Sequence, residues 1–254
     1  LINARYSAAL VTGAGQRIGR AIALDLAQQG IAVAVHYHGS ADAAETVVAE
    51  ISAAGGNAIT IAADLATPDQ VSSLIKGASK ALNKPIDILI NNASVFEKDD
   101  IASFTSDSWD LHQAVNLRAP LMLTQSLAKH LGGERKGAVI NIIDQRVLKP
   151  NPQYLSYTSA KSALLTATKT NAQALAPTIR VNAIGPGPTL ANTRQTREEF
   201  QKESSSVPLG AGPSLEEITA TVRFILETPS MTGQMIALDG GQHLAWRTAD
   251  ILED

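Results

Sequence analysis

Residues 8–19 read Ala8-Ala9-Leu10-Val11-Thr12-Gly13-Ala14-Gly15-Gln16-Arg17-Ile18-Gly19, and this run decides the fold. Four consecutive apolar residues without alternation describe a strand buried on both faces. A glycine-bearing turn follows, then an amphipathic stretch from about Arg17 to Gln29 that Gly30 stops. Backbone N–H groups in such a turn, with the positive end of the next helix, can hold a pyrophosphate, and glycine allows close approach. In Gly13-x-x-x-Arg17-x-Gly19 an arginine stands where the commonest dinucleotide fingerprint has its middle glycine. That places a cation near the phosphates. A turn of this kind can also be plain packing, so the rest of the chain has to decide.

Outward from that run the pattern repeats. Strands are expected at Ile31 to His36, Asn57 to Ala62, Ile86 to Ile90, Gly137 to Asp144, Ile179 to Ala183 and Met235 to Leu238. Between them the spacing predicts helices over Ala41 to Ala54, from Pro68, from Ser106 to Leu131, on to Leu175 through Tyr157 and Lys161, and from Ser214 to Leu226. Pro68 suits a first helical position, and Ser214 with Glu216 and Glu217 makes an acidic, capped start. Strands alternating with long helices give an α/β chain: a single-domain, doubly wound Rossmann-type parallel sheet over 1–254 with helices on both faces. Ligands of such sheets sit beyond the carboxyl ends of the strands.

Composition narrows the partners. The chain has 254 residues, 44% hydrophobic, with a formal net charge of −3 and no lysine- or arginine-rich run, so nucleic acid and acidic membrane surfaces are not expected. With no cysteine there is neither a disulfide framework nor a thiolate metal site, which fits a reducing cytoplasm. No apolar run reaches the length of a membrane span.

Polar clusters gather at the strand ends. The second strand runs into His36-Tyr37-His38-Gly39-Ser40, with no acid before Asp42. A carboxylate there would bind the ribose hydroxyl of NAD and repel a 2′-phosphate, whereas His38 and Ser40 can donate to one, so NADPH is the expected cofactor. Asp64, followed by Leu65, either reads an adenine amino group or caps the helix that Pro68 opens. Asn91-Asn92-Ala93-Ser94 suits backbone passing close to a flat cofactor, or a simple turn. Asn116 is a poor helix former in mid-helix, so it either faces solvent or bonds inside a polar network. Tyr157 and Lys161, four apart, share a helix face near Asp144.

In this order the motifs resemble the short-chain dehydrogenase/reductase family over nearly the whole chain. The glycine turn Gly13 to Gly19 (with Ile18), Asn92-Ala93 after Asn91, Asn116, Tyr157 with Lys161, and Pro186-Gly187 stand in the family's register. Most members carry a serine where this chain has Asp144. With Arg17, the His-Tyr-His-Gly-Ser run and Phe96, that acid resembles the pteridine and dihydromonapterin reductases. The resemblance implies an active site of Asp144, Tyr157 and Lys161, with Ser94 and Phe96 holding a pterin against the nicotinamide. It also implies a homotetramer, to which the indole of Trp246 could contribute. Gly39 stands where that branch often has an arginine on the 2′-phosphate.

Charge bears on the substrate. A Lys161 ammonium about 4 Å from the phenol would stabilise the phenolate by roughly 4 kcal/mol at an effective dielectric of about 20, near three pK units. An ionised Asp144 would oppose it. Reducing a ketone builds charge on oxygen beside that carboxylate; reducing a ring C=N bond with protonation on nitrogen does not. The expected reaction is therefore NADPH-dependent reduction of a dihydropterin, with a carbonyl such as a 3-oxoacyl thioester or sugar ketone as the alternative. A non-catalytic NADP(H) sensor is the third reading. The polar segment 189–213 is expected to form a substrate lid, its Arg194, Arg197, Glu198 and Glu199 solvated.

Overall fold

The computed structural model describes residues 2–191 and 195–246. They form a seven-stranded parallel sheet in the order β3-β2-β1-β4-β5-β6-β7. Its strands are β1 (Ala8–Val11), β2 (Ala32–Tyr37), β3 (Ala58–Ala62), β4 (Ile88–Asn91), β5 (Gly137–Ile142), β6 (Ile179–Pro186) and β7 (Met235–Leu238). The order reverses between β1 and β4, where crossovers diverge to opposite sides and leave a crevice at the strands' carboxyl ends.

Eight α-helices among the described residues cover the sheet: α1 (Arg17–Gln28), α2 (Ala41–Ala53), α3 (Pro68–Leu82), α4 (Ser106–Gln113), α5 (Ala119–Leu131), α6 (Leu155–Leu175), α7 (Arg197–Ser205) and α8 (Leu215–Glu227). Apolar stripes of α1, α2 and α8 (Ile22, Leu26, Val47, Ile51, Ile218, Val222) close one face. Those of α3 and α5 (Val71, Leu74, Leu123, Leu127) close the other. Burial on both faces is why the strand sequences run apolar without alternation.

Two elements differ from expectation. The single helix over 106–131 is broken by one π turn, Ala114–Arg118, which carries Asn116. A π turn widens the helix by one residue and lets a side chain leave the regular ladder. The polar segment 189–213 is not featureless: Thr196 and Glu199 make a reciprocal capping box that starts α7, and Val207 anchors it to the core. Arg194 lies outside the described residues. Arg197, Glu198 and Glu199 are exposed, as expected.

Candidate active site

The glycine turn is held by its neighbours on both sides. Gly13 has φ +62°, which glycine adopts at no cost, and its N–H donates to His36 Nδ1 at 3.1 Å. Because that nitrogen accepts, the ring proton is on Nε2, which meets the Ala63 carbonyl at 3.1 Å. His36 is buried and neutral, burial holding its pKa down to about 4. On the other side Asn92 donates to the carbonyls of Thr12 and Gly13 at 2.8 and 3.1 Å, while the Thr12 hydroxyl accepts from Asn92 and Ala93 N–H. A Cβ on Gly19 would collide with the Gly13 carbonyl and the Asn92 amide. The sheet's switch point and the turn are thus one hydrogen-bonded unit.

Above it α1 begins without a side-chain cap at Gln16. The N–H groups of Arg17, Ile18 and Gly19 therefore stay free for an acceptor, the state a helix start needs to hold an anion. Arg17 has φ +55°, and its guanidinium donates to the carbonyls of Leu190 and Ala191. The expected phosphate cation is thus tied to the base of the 189–213 segment, because two orphan carbonyls lie within its reach.

At the end of β2, His38, Gly39 and Ser40 are exposed. Ser40 is the N-cap of α2 but makes no capping bond, so its hydroxyl is free. Asp64 makes helix-capping contacts: Oδ1 accepts from Ala66 N–H at 2.9 Å and Oδ2 from the Thr67 hydroxyl at 3.1 Å, ahead of α3. Leu65 is buried beneath it.

Asn116 belongs to a polar network. From the π turn, fully buried, its Oδ1 accepts from Val95 N–H at 2.9 Å and the Ser94 hydroxyl at 3.0 Å, and its Nδ2 donates to the Val95 carbonyl at 2.9 Å. An unpaired stretch of backbone after β4 is thereby satisfied as a strand partner would satisfy it. Pro186 ends β6, and Gly187 packs so close to Asp239 that a Cβ would overlap it.

Asp144, Tyr157 and Lys161 come together as expected. The Tyr157 hydroxyl donates to Asp144 Oδ2 at 2.9 Å, and Asp144 Oδ1 accepts from Arg146 N–H at 2.8 Å. The Lys161 ammonium donates to the Ile142 carbonyl at 2.8 Å and stands 5.7 Å from the centre of the Tyr157 ring. The opposing pulls expected of Lys161 and Asp144 on the phenol do not balance. Burial, and then the Asp144 carboxylate, push Tyr157 well above 10, so the phenol keeps its proton. Burial raises Asp144, with the Arg146 guanidinium opposing, and lowers Lys161 to about 8.

Phe96 lies against these groups but does not stand alone. Tyr154 stacks on it at 4.3 Å with planes 7° apart, and Tyr157 meets it edge-on at 4.7 Å. Phe96 is thus packed against two other aromatic rings, Tyr154 covering one of its faces. Tyr154 is also the left-handed N-cap of α6, φ +58°, and its N–H donates to the Asp99 carbonyl. The buried Asp99 carboxylate accepts from Ser156 N–H at 3.2 Å, capping α6 from 57 residues away. His36, Thr12, Asp99, Arg146 and Tyr154 are the residues that sequence reasoning missed. Apart from Arg146, whose backbone and side chain both meet Asp144, they have partners remote in the chain; only His36, inside the quoted His-Tyr-His run, carried a visible signal.

Comparison with known proteins agrees with this geometry. The sequence model of the short chain dehydrogenase family matches residues 7–203. The chain belongs to that family. Among curated short chain dehydrogenases and their kin, it is 35% identical over 237 residues to a 3-oxoacyl-[acyl-carrier-protein] reductase of Synechocystis, covering 92% of this chain and 95% of that one. The corresponding protein of Staphylococcus epidermidis is 34% identical, covering 93% and 98%. Among solved structures, FolM alternative dihydrofolate reductase 1 from Brucella suis, in complex with NADP, superposes with a TM-score of 0.93 at 51% identity, covering 96% of this chain and 98% of that one. Its Brucella canis counterpart, also with NADP, gives 0.93 at 50%, covering 96% and 97%. Among the described residues no helix is long and apolar enough to cross a membrane, and no group of acids and histidines is placed to hold a metal.

Proposed function

We propose that this short chain dehydrogenase is an NADPH-dependent reductase of a pterin-type ring, taking a dihydropterin to a tetrahydropterin. The observation that carries the reading is the 2.9 Å hydrogen bond from Tyr157 to Asp144, a carboxylate standing where a neutral hydroxyl would suit a carbonyl. The 51% identity to FolM from Brucella suis, against 35% for a 3-oxoacyl thioester reductase, supports the same side.

The residues present fit the nicotinamide dinucleotide. The uncapped start of α1 offers N–H groups for the pyrophosphate, and the free hydroxyl of Ser40 with exposed His38 offers donors for a 2′-phosphate. Asn92 and Ala93 shape the floor of the crevice, and Pro186-Gly187 its far wall. Lys161 would hold the ribose hydroxyls. Bound there, NADPH supplies the hydride for C6 of the dihydropterin.

The proton is this chain's task. Tyr157 holds its proton firmly at neutral pH, and Asp144 accepts the hydrogen bond that orients the phenol. As the ring nitrogen N5 gains basicity during reduction, Tyr157 donates to it, and the phenolate left behind takes its proton back from solvent. A carbonyl acceptor would instead develop an oxyanion facing Asp144, a repulsion its serine counterpart would not cause. Phe96, with Ser94 nearby, would hold the ring. We place the protein in the cytoplasm, as a homotetramer, with 189–213 as a lid tethered through Arg17.

NADPH and NADH consumption with 7,8-dihydromonapterin, 7,8-dihydrobiopterin, 7,8-dihydrofolate and a 3-oxoacyl thioester tests the reading. Turnover of the pterins with NADPH preferred is expected. Thioester turnover with no pterin turnover would overturn it.

A further inference from the structure

Arg146 carries a partly buried guanidinium short of acceptors. Its side chain is 18% exposed, and its Nε is buried with no hydrogen-bond partner among the described residues. Its Nη1 stands 3.6 Å from Asp144 Oδ2, beyond hydrogen-bond length. Both oxygens of that carboxylate already accept, from Arg146 N–H and from Tyr157. The plane lies beside the stacked aromatic pair, its central carbon 5.5 Å from the Phe96 centroid and 5.1 Å from that of Tyr154. A cation so held keeps its position, yet its donors lack the acceptors that buried polar groups ordinarily have.

Arg146 shares Asp144 Oδ2 with the Tyr157 hydroxyl, so it borders the place where a ring nitrogen would meet the phenol. A substrate lying on Phe96 therefore extends its substituent past the guanidinium. We infer that Arg146 is a specificity-determining residue, taking hydroxyl oxygens of a short polyhydroxylated substituent on the ring being reduced. This rests on the pterin reading above and names the residue that reads the substituent.

Neutral oxygens fit better than a carboxylate. The guanidinium's charge is already matched by Asp144, and a second carboxylate on the same fork would face that acid across a few ångströms in a partly dry site. Vicinal hydroxyls accept from the spare N–H groups without adding charge, and they can donate onward to water. Methionine or leucine at 146 would leave the aromatic wall intact and remove these donors.

The test compares wild type, Arg146→Leu and Arg146→Lys on 7,8-dihydromonapterin, 6-methyl-7,8-dihydropterin and 7,8-dihydrofolate. Steady-state kinetics is paired with equilibrium binding of each ligand to the complex with NADP⁺. Wild type is expected to favour the trihydroxypropyl substrate over the methyl one. Arg146→Leu should shrink that ratio at least tenfold, chiefly through KM, with Arg146→Lys between. An equal loss on both substrates would reduce Arg146 to a partner of Asp144 and overturn the inference. So would a loss confined to dihydrofolate, which would mean carboxylate recognition. If no pterin is turned over but the Arg146-dependent binding preference persists, the reductase reading fails and this one stands. Equal binding of all ligands by wild type and Arg146→Leu overturns it outright.

Discussion

The Tyr157 hydroxyl donates to Asp144 Oδ2 across 2.9 Å, joining the α6 helix to the loop after β5. Both groups are largely shielded from water; burial and then Asp144 push Tyr157 toward holding its proton, whereas the hydrogen bond from Tyr157 favours the ionised form of Asp144. They titrate as a pair, and the proton between them is the one a substrate nitrogen would draw on.

Removing the phenolic oxygen should therefore stop chemistry and spare binding. Tyr157→Phe is expected to lower kcat by roughly 10²- to 10⁴-fold. The NADP⁺ dissociation constant should change little, because the turn at Gly13 and the start of α1 are untouched. Stopped-flow or steady-state rates with a binding titration check this. Unchanged activity would revive the non-catalytic sensor.

His36 makes the cofactor turn sensitive to acid. Its pKa is lowered from 6.5 to about 4 in the folded protein, so the unfolded chain binds more protons in that interval. Stability should be fully present above pH 6.5 and fall as pH drops toward 4, by up to about 3 kcal/mol. A protonated ring would also lose Nδ1 as acceptor for Gly13 N–H. Thermal melts of wild type and His36→Gln over this window check it: the variant should start lower and show a shallower slope.

Gly19→Ala should damage the turn without touching any side chain that meets substrate. The added methyl would press on the Gly13 carbonyl and the Asn92 amide, both held by other bonds. Overpacking of this kind costs roughly 1–3 kcal/mol. A lower Tm and at least tenfold weaker NADP⁺ binding are expected by calorimetry.

Asn116→Ala leaves Val95 N–H unpaired in the half-buried segment after β4, at a cost of roughly 1–3 kcal/mol, with the Val95 carbonyl keeping only the Ser94 hydroxyl. Asn116→Asp keeps the acceptor and loses the donor, so it should be milder. Amide hydrogen exchange at Val95 and Phe96 would rise in both, more in the alanine variant.

Much of this architecture was legible in the chain because its signals are local. Unbroken apolar runs such as Ala8 to Val11 announced strands buried on both faces, and Ser214 with Glu217 announced a capped helix. Tyr157 and Lys161 were readable from their spacing alone. What escaped depends on groups far apart in sequence. Nothing near Asp99 hints that it caps α6, and nothing beside Tyr154 hints that Phe96 stacks on it. The net sign of the Tyr157 shift, set by Lys161 against Asp144, was open for a related reason. Spacing placed the lysine, but only the fold shows that Lys161 spends a hydrogen bond on Ile142 while burial and Asp144 dominate the phenol.

Asp144 against serine is the sharpest contrast between pterin and carbonyl chemistry in this site. The direct measurement is the ratio of kcat/KM for 7,8-dihydromonapterin to that for a 3-oxoacyl thioester, in wild type and in Asp144→Ser. The account predicts a wild-type ratio well above one that falls at least tenfold in the serine variant. A wild-type ratio below one, or a ratio unmoved by the substitution, would contradict it.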